Sequence, residues 1–322
     1  MEAYFDNAAT TKVFPEVKDL VVKLMEEDYG NPSSLHQKGL DAGHYIKETK
    51  EILAKEWKVD SKEIVLTSGG TESNNLALIG AALANKRSGN RIITSKVEHA
   101  SVSSTMAFLE SLGFEVVYLN VDHQGIVDLE QLEQEVNEDT ILVSVMYVNN
   151  EIGAVEPIRE IAEIIKEKNP KTLFHVDAIQ AFGKYHIYPK RMGIDLMSVS
   201  GHKIHGPKGT GALFIKNRTK VKPIIYGGGQ QDGMRSGTEN VPGFAGFGLA
   251  TKIVYEDLEA RIVRMRAVKD RLTERLKALP DVYINEGEAP HILSVSFVGV
   301  RSEVMLHALE AVSYTHLTLP TT

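Results

Sequence analysis

Between residues 64 and 176, short Val- and Ile-rich runs alternate with segments of helical period. That alternation constrains the fold more than any other feature of the chain. Residues 64–67, 91–94, 115–119, 140–146 and 172–176 read as strands, and 71–86, 100–112, 128–136 and 158–168 as helices. A further apolar run from Ile194 ends near Val199. Repeated βαβ units predict an α/β fold: a mainly parallel sheet with helices on both faces. Such sheets bind ligands beyond the carboxyl ends of their strands, so the residues just after each strand are the candidate site residues.

The flanks read differently. Pro15 suits the first turn of a helix over 16–28, and the Gly/Asn/Pro/Ser loop 30–34 suits the cap of another over 35–56. Past Asn240 a charged helical stretch runs to about Leu279 and stops at Pro280; a strand over 292–297 and a helix over 302–312 follow. The expected division is a large domain over 15–240 and a smaller α+β domain from 1–14 and 241–311.

With 322 residues, 43% of them apolar, the chain can bury a substantial core. A net charge of −7 argues against nucleic-acid or membrane-surface partners. The start, Met-Glu-Ala-Tyr-Phe-Asp-Asn, lacks the basic and apolar regions of a secretory signal, so a cytoplasmic location is expected. There is no cysteine, hence no disulfide, thiolate metal site or thiol nucleophile.

The most informative strand end is Ser-Val-Ser-Gly-His-Lys-Ile-His-Gly-Pro-Lys-Gly-Thr-Gly, residues 198–211. Lys203 sits there among His202, His205 and Lys208, and crowded cations disfavour one another's protonated form. A lysine that loses its proton near neutral pH is a nucleophile for an aldehyde, which makes Lys203 a candidate Schiff-base carrier of pyridoxal phosphate. A basic turn between strands is the plainer reading of this loop alone, and a metal site from His202 and His205 lacks a nearby acidic ligand.

Other strand ends offer complementary parts. Gly70 and Thr71 open a helix whose N-terminus suits a phosphate, with Thr71 as a cap. His99 can lie flat on an aromatic ring. An asparagine of the pair Asn149–Asn150 can donate to a phenolate or carboxylate. Asp177, just past an apolar strand, needs a partner, and a protonated pyridine nitrogen provides one. Gln180 follows it, Ser200 adds a donor, and His175 reads as a locally bonded residue. Arg235–Thr238 follows a glycine run at 227–229. Each of these also fits an ordinary turn or cap; together, at successive ends of one sheet, they make a cofactor site. A nucleotide site on the Gly70–Thr71 turn is a competing use of the same segment.

These residues resemble the cysteine desulfurases of the NifS/IscS type, within the class V aminotransferase group. The resemblance is carried by YFDNAATT at 4–11, NPSSLHQKG at 31–39, TSGGTESNN at 67–75, EHAS at 98–101 and NNEIGAVEPI at 149–158. It continues through HVDAIQAFGK at 175–184, SGHKIHGPKGTGAL at 200–213 and RSGTENV at 235–241. It implies the type I fold of pyridoxal phosphate enzymes, with about seven strands in the large-domain sheet. By this resemblance Lys203 would hold the cofactor and move the substrate's α-proton, and His99 would stack on the ring. Asp177 would pair with the ring nitrogen; Asn150 and Gln180 would face ring substituents and substrate. Gly70, Thr71, Ser200 and His202 would hold the phosphate, and Thr238 would reach the phosphate of a neighbouring subunit in a homodimer. The implied reaction turns L-cysteine into L-alanine and passes sulfur, as a persulfide, to iron–sulfur scaffolds or other acceptors.

One departure matters. The family's nucleophilic cysteine lies past the segment at 291–310, where this chain runs into 312–322, a tail that does not continue the pattern and reads as non-native. The later arginine for the substrate carboxylate is missing as well. Without a thiolate no protein persulfide forms, so this polypeptide is expected to bind the cofactor but not to transfer sulfur. The shortened small domain is also expected to leave 292–297 uncovered and to lower solubility. A selenocysteine lyase, a small aminotransferase and a non-catalytic cofactor-binding protein are the alternative readings.

Overall fold

The computed structural model describes residues 3–285, 287–313 and 315–316. In chain order the elements are β1 (Ala3–Tyr4), α1 (Pro15–Glu26), α2 (Gln37–Trp57), β2 (Ile64–Thr67), α3 (Gly70–Asn85), β3 (Arg91–Ser95), α4 (Ala100–Ser111), β4 (Glu115–Leu119), α5 (Leu129–Glu135) and β5 (Thr140–Met146). There follow α6 (Ile158–Lys168), β6 (Leu173–Asp177), β7 (Leu196–Ser200), β8 (Gly211–Ile215), α7 (Val241–Glu256), α8 (Leu258–Lys277), β9 (Val282–Asn285), β10 (Ser294–Phe297), α9 (Ser302–Ser313) and β11 (Thr315–His316).

Seven strands form the main sheet in the order β2-β8-β7-β6-β5-β3-β4. Strands β3 to β7 pair in parallel, while β8 runs antiparallel to both β7 and β2. The mainly parallel seven-stranded α/β sheet is therefore as expected. The exception is β8, which returns directly from the Lys203 loop and so needs no crossover helix. Every residue of β5 is buried, as befits a central strand covered on both faces. One face carries an apolar cluster with Leu53, Trp57, Ile161, Ile165, Phe182 and Phe247; the other packs α3 and α4 through Leu76, Leu78, Val102, Met106 and Leu109.

The stretch from 241 to 279 is two helices broken at Asp257 (φ −126°, ψ 26°). Helix α7, expected in the small domain, buries Phe244, Phe247, Ala250 and Val254 in the same core as Val17 of α1 and Leu53 of α2. Two glycines allow the close approach. A Cβ on Gly246 would meet Val21 and Pro207 at 2.9 Å, and one on Gly248 would meet Thr49 Oγ1 at 2.8 Å. Helix α8 carries the charge and, of its residues, Leu258 is buried.

Strand β10 pairs antiparallel with β9, which sequence reading missed because Val282–Asn285 is short and half exposed. The segment before β10 docks on the turn after β5: Ala289 N donates to Gly153 O at 2.9 Å, and a Cβ on Gly153 (φ +74°) would press on Ile292 at 3.1 Å. Residues 292–297 are buried or half-buried except Ser296, so the expected apolar exposure falls instead on neighbours such as Val298, 59% exposed. Within the expected non-native tail, β11 pairs in parallel with β1; Tyr314 and residues 317–322 lie outside the described residues. Among the described residues, no helix is long and apolar enough to cross a membrane.

Candidate active site

A cavity of about 410 Å³ opens beyond the carboxyl ends of β2, β3, β5, β6 and β7, where the parallel sheet leads a ligand to be expected. Gly70, Thr71, His99, Asn150, Asp177, Gln180, Ser200, His202 and Lys203 all line it. Thr238 does not: it is exposed on the segment after Gly229.

Lys203 follows β7 in a single 3₁₀ turn and points across the cavity mouth toward the N-terminal segment, where its ammonium donates to the main-chain carbonyls of Ala8 and Ala9, the latter at 2.8 Å. Its pKa lies below the usual lysine value because burial disfavours the charge, while the carboxylates of Asp6 and Asp177 oppose the shift. The direction matches the sequence expectation; the cause does not. His205 stacks on Phe14 with ring centroids 4.3 Å apart and bonds to Lys12 O at 2.8 Å, turned away from the cavity, so His202 and His205 do not converge.

Asp177 ends β6 on the cavity floor, 4% exposed. Its Oδ1 accepts from Ile179 N at 3.0 Å and its Oδ2 from Asn74 Nδ2 at 2.8 Å. Burial raises its pKa; these donors, with His99 and Lys203, pull it back. His99 is the N-cap of α4, and its Nδ1 accepts from Ser101 N at 3.1 Å. Glu98 beside it is half-buried, and desolvation of its carboxyl pushes its pKa up to about 8. His175 lies inside the sheet between Ser144 Oγ at 2.8 Å and Ser198 Oγ at 3.0 Å, a bonded interior residue, its pKa lowered to about 3 by burial.

At the other end, α3 begins at Gly70 with Gly69 (φ +151°) as N-cap and no side-chain cap among the described residues. Thr71 is thus a helical residue and not the cap that the sequence suggested. The first N–H groups of α3 face the cavity unblocked, a favourable place for an anion. His202 bonds to Thr10 Oγ1 at 3.1 Å, and burial, then Lys203, Lys208 and Lys184, lower its pKa to about 4. It therefore offers a neutral N–H near pH 7. Asn150 donates to Glu151 at 2.6 Å, while Asn149 is the turn's internal brace, its Oδ1 accepting from Glu151 N and Ile152 N at 2.9 and 3.0 Å. Gln180 donates to Ala8 O at 2.9 Å and meets His291 Nε2 at 3.2 Å. Arg235 is clamped on Glu72 of α3 at 2.8 and 3.1 Å, which fixes the segment carrying Thr238.

Pyridoxal phosphate fits this donor set. The cavity holds an anionic acceptor at its floor, an amine at its mouth and an uncapped helix end at one side. Ser200 Oγ, on the cavity wall, is buried without a hydrogen-bond partner among the described residues, which marks a polar group awaiting a ligand. Sequence reasoning missed the carbonyls of Ala8 and Ala9, as well as Asn74, Ser101 and Lys184. None stands directly after a strand; each lies inside a motif of the family resemblance, YFDNAATT, TSGGTESNN, EHAS or HVDAIQAFGK, without a role of its own there.

Comparison with known proteins agrees with the geometry. The family model for aminotransferase class-V matches residues 3–313. The chain is 43% identical over 311 residues to "Cysteine desulfurase IscS" of Dictyoglomus turgidum, covering 95% of this chain and 78% of that one. A solved structure titled "NIFS-LIKE PROTEIN" superposes with a TM-score of 0.97 at 39% identity, covering 99% of this chain and 88% of the other. A second, "SspA in complex with cysteine", gives 0.84 at 32% identity over 99% and 90% of the two chains. Alignment over nearly the full length means that the chain belongs to the aminotransferase class-V family and is a homologue of the IscS/NifS cysteine desulfurases.

Proposed function

We propose that the protein uses pyridoxal phosphate to act on L-cysteine as its desulfurase relatives are named to do. The observation that carries this reading is Lys203 and Asp177 lining one cavity in a chain 43% identical to a cysteine desulfurase. Members of this family depend on pyridoxal phosphate. Bound here, that cofactor supplies an electron sink for the bonds at a substrate's α-carbon.

The chain's residues take the remaining roles. Lys203 would carry the cofactor and, as an amine whose charge burial disfavours, would accept and return the α-proton. Asp177 would pair with the ring nitrogen and keep its proton in place. His99 would cover the ring, Asn150 and Gln180 would face its substituents and the substrate, and the Gly70–Thr71 helix end, Ser200 and His202 would hold the phosphate. Thr238 stands exposed on a segment braced by Arg235 and Glu72, which supports its serving a second copy in a homodimer. Exposed Met25, Tyr29, Leu35 and Tyr226 support the same reading. We assign residues 3–257 to the large unit, from the burial of α7, and the elements from α8 onward to the small one.

In the net reaction a thiol takes the sulfur of cysteine as a persulfide and leaves alanine. This sequence contains no cysteine, so its own side chains offer no thiolate for that step. We read its place as cytoplasmic, and its sulfur acceptors as iron–sulfur scaffold proteins from the IscS name of its relatives.

Purified protein with added pyridoxal phosphate turns yellow, and borohydride then fixes a phosphopyridoxyl group on the peptide carrying Lys203. Lys203→Ala loses that adduct. Protein that stays colourless and takes up no cofactor overturns the reading. With a cysteine-bearing C-terminal segment added, alanine is the expected product from cysteine; pyruvate or a keto acid would point to a different enzyme of the family.

A further inference from the structure

Asp177 and His99, which both line the cavity, are joined through the protein interior by side chains outside the candidate cofactor set. Asn74, on the first turns of α3, is fully buried. Its amide nitrogen donates to Asp177 Oδ2 at 2.8 Å and to Ser101 Oγ at 2.9 Å. Both of its protons are thereby used. Ser101 Oγ in turn lies 2.9 Å from His99 Nδ1, and Ser101 N donates to the same nitrogen at 3.1 Å.

The polarity of this chain has one solution. An amide oxygen placed against a carboxylate would repel it, so the nitrogen of Asn74 faces Asp177. Ser101 Oγ accepts from Asn74, which leaves its proton for His99 Nδ1. His99 Nδ1 accepts from a backbone N–H as well, so it carries no proton, and the ring proton sits on Nε2. Asn74 Oδ1 is buried with no partner among the described residues. An unsatisfied buried carbonyl costs stability, so this asparagine is placed for its two donors and not for its acceptor.

We propose that Asn74 is a positioning residue that, through Ser101, sets the Asp177 carboxylate and the His99 ring in one register. This rests on the cofactor reading above. Asn74 holds the oxygen of Asp177 that would otherwise turn and, by donating to Ser101 Oγ, directs that hydroxyl's proton to His99 Nδ1, reinforcing the tautomer that Ser101 N selects.

The wild type without cofactor gives the first test. Histidine ¹⁵N NMR, with His99 assigned by His99→Gln, should show a non-protonated Nδ1 and a protonated Nε2 at neutral pH; an Nδ1–H form as the main species overturns the proposal. The second test is a cycle in pyridoxal phosphate affinity. Asn74→Ala should weaken binding at least about tenfold. Its effect and that of His99→Gln should be non-additive when Ser101 is present and additive when it is Ala, with Ser101→Thr restoring the coupling. Independent effects in both backgrounds, or unchanged affinity in a folded Asn74→Ala, sink it. Should wild-type protein take up no cofactor, the functional reading fails, while the NMR of His99 still decides this one.

Discussion

Asp177 ends β6 and Lys203 follows β7, so two neighbouring parallel strands deliver a carboxylate and an amine to the same cavity. Each tempers the other: the amine lowers the pKa of the acid that burial raises, and the acid raises that of the amine. Asp177→Asn leaves a group that cannot hold a ring-nitrogen proton in place. We expect it to retain cofactor but to slow exchange of the α-proton of L-alanine in D₂O by about a hundredfold or more, followed by ¹H NMR. Lys203→Ala should abolish the exchange. An Asp177→Asn protein exchanging at the wild-type rate would remove Asp177 from the chemistry.

Lys184 is a second buried amine, donating to Lys203 O at 2.7 Å, and its pKa is lowered to about 7 by burial and then by Lys203. Its ordinary value is 10.5, so between pH 7 and 10.5 the unfolded chain binds more protons than the folded one. The cost of the buried charge is full below pH 7 and is relieved as pH rises through that window. Lys184→Met should therefore flatten the rise of stability between pH 7 and 9.5 in urea titrations. It should also loosen the Lys203 turn. An unchanged slope would mean that Lys184 is solvated.

Glu98 works in the opposite sense. Its folded pKa of about 8 stands above the ordinary 4.5, so the folded state holds the extra proton between those values. Stability then falls as pH rises from 4.5 to 8, with a limiting slope of about 1.4 kcal/mol per unit. Glu98→Gln keeps the shape of the neutral acid and should remove this decline, most visibly as a higher melting temperature at pH 8 than the wild type. Equal pH profiles would refute a neutral Glu98.

Gly211 opens β8 against the Gly69–Gly70 turn. A Cβ there would stand 2.7 Å from Gly69 Cα and from Val199 O, both main-chain atoms that cannot swing aside. Gly211→Ala should cost about 1–3 kcal/mol in urea unfolding and weaken cofactor binding by shifting the Gly69–Gly70 turn. Wild-type stability and affinity would mean that β8 and that turn separate easily.

The strand–helix alternation from 64 to 176 made the sheet legible, because a buried parallel strand must be apolar on both faces and its period is local. The sites at strand ends were legible for the same reason: Gly70, His99, Asp177 and Lys203 each follow an apolar run. The limits are as instructive. The stretch 241–279 read as one charged helix because its charges lie in its second half; only packing shows that α7, with Gly246 and Gly248, slides into the core. The pKa of Lys203 is lowered by burial and not by crowding from His205, which the fold turns onto Phe14.

By itself the sequence settled which chemistry is on offer: an amine, a carboxylate, an imidazole and a helix end, each just past a strand, and no thiol anywhere. Tertiary structure alone decided how they meet. The Asp177–Asn74–Ser101–His99 chain, the carbonyls of Ala8 and Ala9 on Lys203, and the burial that lowers that lysine's pKa join positions from 8 to 203. Desolvation and hydrogen-bond direction depend on which atoms surround a group in space, and no spacing along the chain encodes them.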